Sequence, residues 1–289
     1  MEVAGSAPVL TRKPLMKASR SAAEIEQHYL VEIELAERLR AAPRDQRLGL
    51  YGQVYDELFR RVPAHPQLTR KVSDAERAVA VAIRMAGLRP FIKPDTVFLE
   101  VGAGDGSFTL AVAELARHCY ALDVSREILE GVRHPKVETV LSDGCSVPVP
   151  PGSVTLAYSN QVMEHIHPDD ALEQLRNLYA AIAPGGSYVC VTPNRLNGPH
   201  DVSKFYDPVA RGFHLKEYTI GELEQLFRGV GFARVQAYPR VFRRNVRVPM
   251  GLLKGFERLL ALLPDKMRRR LGQTSAVKNL LSPLVRGIK

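Results

Sequence analysis

The sequence contains no tryptophan and only three cysteines among its 289 residues. Cys119, Cys145 and Cys190 lie far apart in the chain and form no C-x-x-C or mixed Cys/His spacing. This pattern argues against a disulfide framework and against a zinc site, and it is typical of a protein that stays in a reducing compartment. We therefore expect a cytoplasmic protein.

Long apolar runs are also missing. No stretch approaches the roughly 18 consecutive apolar residues of a membrane span, and residues 1–24 contain no apolar core of signal-peptide length. The composition, with 45% hydrophobic and 25% charged residues, is that of an ordinary globular protein. We expect neither standard secretion nor an integral membrane protein.

Acidic residues are scarce in one part of the chain only. Residues 241–289 contain 12 of the 40 Lys and Arg residues but two of the 31 acids, so the rest of the chain has a net charge of −1. The total of +9 is therefore a property of the C-terminal segment. A nearly neutral body without a basic and aromatic patch argues against nucleic acid as the partner.

The patterning divides the chain into four segments: a flexible tail (1–20), an N-terminal helical cap (21–93), a core domain (94–248) and a basic amphipathic helical extension (249–289). In the cap, apolar residues recur at helical spacing. In the core, short apolar runs alternate with helical stretches, which predicts an α/β fold with a doubly wound, mostly parallel, Rossmann-like sheet and helices on both faces. Ligands of such sheets bind at the carboxyl ends of the strands.

A glycine-rich turn follows the first predicted core strand. The strand VFLEV (97–101) leads into Gly102-Ala103-Gly104-Asp105-Gly106, whose glycines allow a tight turn and let a ligand approach bare backbone at the start of a helix. The sixth position of the dinucleotide fingerprint G-x-G-x-x-G is occupied by Ser107 rather than glycine. The turn alone is compatible with several nucleotide-like ligands.

Two acids follow at the ends of the next two predicted strands. Asp123 ends CYALDV about 20 residues after the loop, where a carboxylate can accept from both ribose hydroxyls. Asp143, followed by Gly144, ends the third strand and is placed to accept from an adenine amino group. A nicotinamide-dependent oxidoreductase, the main alternative, has no need of this second acid.

In these motifs, residues 97–192 resemble the core of class I S-adenosylmethionine-dependent methyltransferases. The resemblance implies S-adenosylmethionine as the cofactor and a methyltransferase activity. It further implies a set of cofactor-binding residues: Glu100, Gly102, Gly104, Asp123, Asp143, Gly144 and Asn160. Pro148, Pro151-Gly152 and Ala183-Pro184-Gly185-Gly186 fit the same pattern, whereas Thr155 stands where many relatives have Asp.

The segment after the fourth strand contains a first catalytic candidate. Glu164-His165 resembles a pair found in many small-molecule methyltransferases, and we predict a catalytic role for His165. Some relatives bind a divalent metal through E-x-x-E-H, but Gln161 replaces the first Glu, and an amide is the poorer ligand. We therefore predict no metal. A partly buried histidine that starts the next helix is the alternative.

A second candidate lies in the long connection after the fifth strand (192–219), which is rich in polar groups. Long ordered loops of this kind are usually functional. His214 and Glu217 lie three residues apart, so the carboxylate can orient the imidazole and make His214 a general base. The alternative is that both residues only lead into the helix that follows.

The two flanks suggest how an acceptor binds. Tyr51, Tyr55 and Phe59 in the cap are candidates for lining a substrate pocket, although such a stripe is commonly simple packing. The basic, amphipathic segment 250–289 is a candidate for peripheral contact with a membrane surface. The sequence thus predicts O-methylation of a small-molecule, sugar or lipid-linked acceptor. The alternatives are an oxidoreductase and an RNA-directed methyltransferase or nucleic-acid-binding protein that uses the basic tail.

Overall fold

The structure is a computed structural model, and it describes residues 20–69, 73–242 and 244–289. The flexible tail predicted for residues 1–20 lies almost wholly outside the described residues. Within the described ranges, no helix is long and apolar enough to cross a membrane.

The N-terminal segment is helical, as predicted. It forms α1 (Ala22–Ala41), α2 (Arg44–Arg61) and the short α3 (Pro66–Thr69). Helix α1 begins with a capping box in which the Ser21 side chain accepts from the Glu24 N–H and the Glu24 side chain accepts from the Ser21 N–H. Leu35 and Leu39 on α1 pack with Val54 and Leu58 on α2 in the main core, so the first two helices form a buried pair.

The core is a seven-stranded sheet with the strand order β3-β2-β1-β4-β5-β9-β6. Its first five strands are parallel, and β9 runs antiparallel to both neighbours. The strands are β1 (Val97–Val101), β2 (His118–Asp123), β3 (Val137–Leu141), β4 (Val154–Asn160), β5 (Ile182–Val191), β6 (Arg234–Tyr238) and β9 (Leu284–Ile288); β7 (Arg240–Val241) and β8 (Arg244–Asn245) pair separately. The predicted fold class is confirmed.

Helices cover both faces of this sheet. They are α4 (Asp74–Leu88), α5 (Ser107–Ala113), α6 (Arg126–Leu129), α7 (Pro168–Ala181) and α8 (Ile220–Val230). Leu88 of α4 and Phe108 of α5 pack on Phe98 on one face, whereas Leu99 belongs to the opposite core. Helix α4, which the sequence assigned to the cap, therefore covers the sheet beside α5.

The C-terminal extension differs from its prediction at its end. It forms α9 (Met250–Ala261), α10 (Asp265–Gly272) and α11 (Ser275–Leu281) as predicted, but residues Leu284–Ile288 form β9, between β5 and β6. The predicted boundary at residue 248 therefore separates β9 from the sheet to which it belongs. Gly287 explains the close fit, because a Cβ there would lie 2.6 Å from Phe227 Cδ2 and 2.8 Å from Phe232 Cδ1. A five-residue strand with Arg and Gly in it gives little periodic signal.

Candidate active site

The glycine loop joins the carboxyl end of β1 to α5. Gly102 has φ +71°, and a Cβ at this position would lie 2.5 Å from Val162 Cγ2, so only glycine fits between the loop and the turn that follows β4. The backbone N–H groups of Gly102 and Ala103 both donate to Leu122 O. The loop is therefore fixed against the end of β2.

Asp123 lies at that end of β2 and lines the large cavity described below. Its Oδ2 accepts from the backbone N–H of Gly104 (2.9 Å), and its Oδ1 accepts from the N–H of Ser125 (3.1 Å). The carboxylate is thus held beside the glycine loop, as a ribose-binding acid requires. Gly104 contributes this hydrogen bond but does not line the cavity.

Glu100 lies on the face of the sheet opposite to the cavity that Asp123 lines. Side chains alternate along a strand, and Glu100 lies on the same face of β1 as Phe98, where Thr109 Oγ1 donates to its carboxylate (2.5 Å). Burial raises the pKa of Glu100 to about 7, against the hydrogen bond from Thr109 and the nearby charge of Arg84. This carboxyl ties α4 and α5 to the sheet and does not line the cavity.

Asp143 and Gly144 follow β3 in a tight turn. Asp143 Oδ1 accepts from the N–H groups of Cys145 (2.9 Å) and Ser146 (2.7 Å). Burial would raise the pKa of Asp143, but these hydrogen bonds outweigh it and lower the pKa. Gly144 lines the cavity with φ +96°, whereas the Asp143 side chain is exposed and does not line it.

The cavity has a volume of about 1140 Å³ and extends from the glycine loop to the helices of the cap. Gly102, Asp123 and Asn160 line one part, and Tyr51, Tyr55 and Phe59 line another, as the sequence predicted. Pockets for one small ligand typically measure about 300–1,000 Å³. This cavity therefore has room for a cofactor and a second molecule.

The backbone after β4 is strained where it meets the cavity. Gln161 has φ +58°, a conformation that non-glycine residues rarely adopt, and its N–H donates to Val191 O at the end of β5 (2.8 Å). Such strain persists only where neighbouring structure enforces it, and it is concentrated at functional sites. The turn places Asn160, Gln161 and Val162 along the cavity wall.

His214 and Glu217 meet as the sequence predicted. His214 Nδ1 donates to Glu217 Oε1 (2.8 Å), and both residues are buried. Burial would lower the pKa of His214, but the hydrogen bond to Glu217 and the charges of Glu164, Glu217 and Asp201 raise it overall. Since Nδ1 is occupied, Nε2 is the nitrogen left to accept a proton.

His165 lies beside His214, with the two ring centroids 4.8 Å apart and the rings nearly perpendicular. Its Nδ1 donates to the carbonyl oxygen of Phe213 (3.1 Å) and lies 3.1 Å from the Tyr55 hydroxyl. Burial, together with the charge of His214, lowers the pKa of His165 to about 4. The ring is therefore neutral near pH 7, and its Nε2 is an acceptor.

Glu164 is fully buried next to the two histidines. Its Oε2 accepts from Thr192 Oγ1 (2.9 Å), and its Oε1 has no hydrogen-bond partner among the described residues. Burial raises the pKa of Glu164 to about 7, so the group holds a proton much of the time at neutral pH. A neutral carboxyl carries no isolated charge, which makes the unpartnered oxygen tolerable.

Two groups of side chains in the described ranges have a composition and spacing that could hold a metal ion. In each group the ligand atoms lie within 4.8 Å of one another; the groups are Glu164, His165 and His214, and His28, Glu32 and His65. In the second group, His28 is engaged on both ring nitrogens, by Arg20 (3.0 Å) and Glu32 (2.6 Å). The prediction that no metal binds stays a prediction.

Helix α1 fixes the loop that carries His214. Glu32 Oε1 accepts from the Phe213 N–H (2.9 Å), and Arg40 donates to the carbonyl oxygens of Arg211 (2.6 Å) and Gly212 (3.1 Å). Gly212 leaves the space for this contact, because a Cβ there would collide with Glu32 Oε1. The cap therefore positions the predicted base as well as lining the cavity.

Other polar residues of the 192–219 connection have structural roles. Asn194 donates to Glu257 Oε1 on α9 (2.7 Å), and Arg195 forms an ion pair with Glu222. Asp201 accepts from the backbone N–H groups of Ser203 and Gly212, and burial raises its pKa to about 6. His200, Asp201, Lys204 and His214 line the cavity.

The sequence reasoning missed several cavity residues in the cap, among them His28, Glu32 and His65. His28 and Glu32 lie at the spacing of the apolar stripe of α1, between Ile25 and Leu35, and both are buried. Polar residues that interrupt a buried stripe are a usable signal, because burial of such groups requires partners. No comparable signal precedes His65, which follows Pro63 in a turn.

The comparisons with known proteins define the class. The sequence model of a family described as a methyltransferase domain matches residues 72–237, more than half of the chain. The protein therefore belongs to the methyltransferase-domain family. Its cofactor is S-adenosylmethionine, and the nicotinamide alternative loses its support.

Individual relatives agree with this assignment. Over 136 residues the chain is 29% identical to a protein of Mycolicibacterium smegmatis named as an S-adenosylmethionine-dependent methyltransferase. The matched region covers 46% of this chain and 51% of the relative. The chain is 30% identical over 139 residues to one from Mycobacterium tuberculosis, with 47% and 48% covered. The chain thus spans about half the length of the curated relatives it matches.

Among solved structures, a methyltransferase from Archaeoglobus fulgidus described as S-adenosylmethionine-dependent has a similar fold. It superposes with a TM-score of 0.50 at 17% identity, and the superposition covers 74% of this chain and 94% of the other. A likeness at this identity concerns the fold only.

The residues present fit the cofactor. Gly102 offers bare backbone at the cavity wall, Asp123 offers a carboxylate beside it, and Asn160 ends the neighbouring strand β4. Glycine is required at Gly102 by its φ and by Val162, which keeps this wall open to a ligand. Of the other residues that the resemblance implied, Gly144 lines the same cavity, whereas Glu100, Gly104 and Asp143 do not.

Proposed function

We propose that this methyltransferase methylates an oxygen of a small-molecule, sugar or lipid-linked acceptor that binds in the cap half of the cavity. The observation that carries the proposal is the continuity of the cavity, whose lining includes both Asp123 beside the glycine loop and His214 beneath α1. When bound, S-adenosylmethionine supplies the methyl group from its sulfonium. The protein must then align the acceptor and accept its proton.

In this proposal His214 removes the acceptor's hydroxyl proton. Glu217 accepts a hydrogen bond from His214 Nδ1 (2.8 Å), which fixes the ring and leaves Nε2 as the basic atom. A raised pKa makes the imidazole a stronger base, and the carboxylate stabilises the imidazolium that forms. His165, neutral and adjacent, packs against the His214 ring with the centroids 4.8 Å apart and helps to hold that ring in place.

The cap selects the acceptor. Tyr55 and Phe59 of the cap, together with Phe213 of the connection after β5, contribute aromatic surface to the cavity, and His28 and His65 of the cap contribute polar groups. Pockets of this kind hold small molecules with an apolar body and a few polar groups. Mixed lining supports a phenolic, sugar or lipid-linked alcohol over a nucleic acid, for which a basic groove would be required.

Isothermal calorimetry tests the cofactor half of the site. We expect S-adenosylhomocysteine to bind the full chain and NADH to give no measurable heat, because the loop lacks the third glycine of the dinucleotide fingerprint. Binding of NADH with comparable affinity would contradict this interpretation. Mass-spectrometric screening of phenolic, sugar and polyprenyl alcohols for a gain of one methyl group then tests the acceptor class.

Dialysis against a chelator distinguishes general-base catalysis by His214 from a metal-assisted mechanism. His214 Nδ1 is engaged by Glu217 and His165 Nδ1 by the carbonyl oxygen of Phe213, so both rings are held without an ion. We therefore expect dialysis against EDTA to change turnover by no more than about twofold. The matched measurement is turnover after addition of Mg²⁺, Mn²⁺ or Zn²⁺ to the dialysed enzyme. Loss of activity with EDTA and recovery with one ion would make Glu164, His165 and His214 ligands and would exclude His214 as the free base.

A further inference from the structure

Helix α9 has two apolar faces, and only one of them is covered. Leu253 and Leu260 are buried against the domain, and Glu257 on the same side is buried as well. Leu252, Leu259 and Leu262 are 67%, 67% and 81% exposed. Leu262 directly follows α9 and has a helical backbone conformation. At about 100° per residue the three leucines span an arc of about 80°, on the side of the helix away from the buried face. We call them the outer leucine face.

The helix is firmly anchored, so the exposed leucines are held at the surface. Glu257 accepts from the backbone N–H groups of Ile220 (2.7 Å) and Gly221 (3.1 Å) at the start of α8. It also accepts from Asn194 Nδ2 (2.7 Å). Lys254 pairs with Glu224 of α8 (2.5 Å). The fold therefore holds three exposed leucines outward on one side of the helix, and grouped exposed apolar side chains of this kind mark an interaction site.

The surroundings of the outer leucine face are strongly basic. Segment 250–281 contains seven basic residues: Lys254, Arg258, Lys266, Arg268, Arg269, Arg270 and Lys278. Glu257 is buried, Asp265 pairs with Arg268 (2.7 Å), and Lys254 pairs with Glu224 (2.5 Å). The excess positive charge of the segment therefore comes from Arg258, Lys266, Arg269, Arg270 and Lys278. Helix α10, directly after α9, exposes Met267 (52%) and Leu271 (37%) among these cations.

We infer that this surface docks on an anionic lipid bilayer. Leucines projecting from a basic helix insert into the headgroup and acyl boundary while the cations face lipid phosphates. A second copy of the chain is a poor occupant, because two basic faces would repel each other. Nucleic acid is a poor occupant too, because it offers leucine side chains no apolar surface to cover. The inference does not depend on the identity of the methyl acceptor.

The anchoring contacts connect this surface to the wall of the cavity. Asn197 Nδ2 is 3.5 Å from Gly272 O at the end of α10, and Gln273 Nε2 donates to Asn197 O (2.9 Å). Asn197 in turn lies 3.1 Å from His200, which lines the cavity. Docking on a bilayer would therefore orient the acceptor side of the enzyme relative to the lipid.

Co-sedimentation of the full chain with vesicles tests the inference. We expect binding to vesicles of phosphatidylcholine and phosphatidylglycerol in equal parts, and at least about tenfold weaker binding to phosphatidylcholine alone. Replacing all three outer leucines (Leu252→Ser, Leu259→Ser, Leu262→Ser) should weaken binding by more than about tenfold, because the apolar contribution is lost. Lys266→Ser with Arg270→Ser should weaken it by about tenfold and reduce its salt dependence.

Two surface variants serve as matched controls. Val209→Ser removes a side chain that is 60% exposed outside this segment, and Arg60→Ser removes an exposed cation of α2; both should bind vesicles as the wild type does. Unchanged thermal unfolding of the triple variant confirms that it folds.

Failure of the wild type to sediment with the anionic vesicles would overturn the inference, and so would undiminished binding by the triple variant. If the wild type is a dimer and the triple variant a monomer, the outer leucine face binds a second copy of the chain instead. If added duplex RNA reduces sedimentation of the wild type with vesicles as much as the triple substitution does, the face binds nucleic acid instead.

Discussion

We expect the His214→Ala variant to lose about 10²–10⁴-fold in kcat, which is the range that a positioned general base contributes. Its affinity for S-adenosylhomocysteine should stay within about twofold of wild type, because the lost interaction is made with the acceptor in the transition state. Methyl transfer from tritiated S-adenosylmethionine to the acceptor found by screening gives kcat, and calorimetry gives the affinity. Turnover within about twofold of wild type would end the base assignment.

The pH profile distinguishes a base from a structural histidine. Only neutral His214 can accept a proton, so kcat should fall as the pH drops through the His214 pKa. The groups that face His214 raise this pKa above its ordinary value of 6.5, with Glu217, Glu164 and Asp201 as the acidic neighbours. The Glu217→Gln variant lacks the hydrogen-bonded carboxylate, so its acidic limb should move to lower pH while its kcat falls. An unmoved limb would show that another group titrates.

The matched control removes a different histidine, one that lies away from the cavity. His134 is 3.3 Å from the exposed Glu114 and does not line the cavity, so His134→Ala should retain both kcat and its pH profile. Free imidazole added to the His214→Ala variant should restore part of the activity, because the removed ring leaves a space beside Glu217. The His134→Ala variant should show no response.

The parallel sheet and its ligand edge could be predicted from the sequence because local signals agree there. Each of these signals depends on only a few neighbouring residues. The buried run VFLEV indicates a strand, the loop from Gly102 to Gly106 indicates a turn with positive φ, and Asp123 indicates a carboxylate at a strand end. The positive φ of Gly102, Gly104 and Gly106 is in the structure. His214 and Glu217 were predictable for the same reason, since they lie three residues apart.

Contacts between distant segments could not be predicted in this way. Strand β9 is placed by Gly287 packing on Phe227 and by pairing with two strands from separate parts of the chain. Likewise, the hydrogen bond from the Phe213 N–H to Glu32 joins residues 181 positions apart. Glu100 is a different case, because the alternation of side chains along β1 was available and would have placed its carboxylate with Phe98 on the helix-covered face.

The two acids that follow β2 and β3 make opposite predictions for cofactor binding. Asp123 lines the cavity beside Gly102, so Asp123→Ala should weaken S-adenosylhomocysteine binding by about 100-fold, the equivalent of two charge-assisted hydrogen bonds to ribose. Asp143 is exposed, and its Oδ1 is engaged by the N–H groups of Cys145 and Ser146. Asp143→Ala should therefore weaken binding by less than about tenfold while lowering thermal stability through loss of the turn.

The Asp123 variant needs a control for the loop itself, because Asp123 also accepts from the Gly104 and Ser125 N–H groups. Asp123→Asn retains one side-chain oxygen for the loop but presents the ribose with a neutral amide in place of the charge. If ribose recognition dominates, Asp123→Asn should still weaken binding by about tenfold or more with little change in thermal unfolding. If only the loop matters, the asparagine variant should bind nearly as wild type and the alanine variant should lose affinity and stability together. Equal losses for Asp123→Ala and Asp143→Ala would show that Asp143 reaches the cofactor through its second oxygen, which would restore the adenine-side role that the sequence resemblance implied.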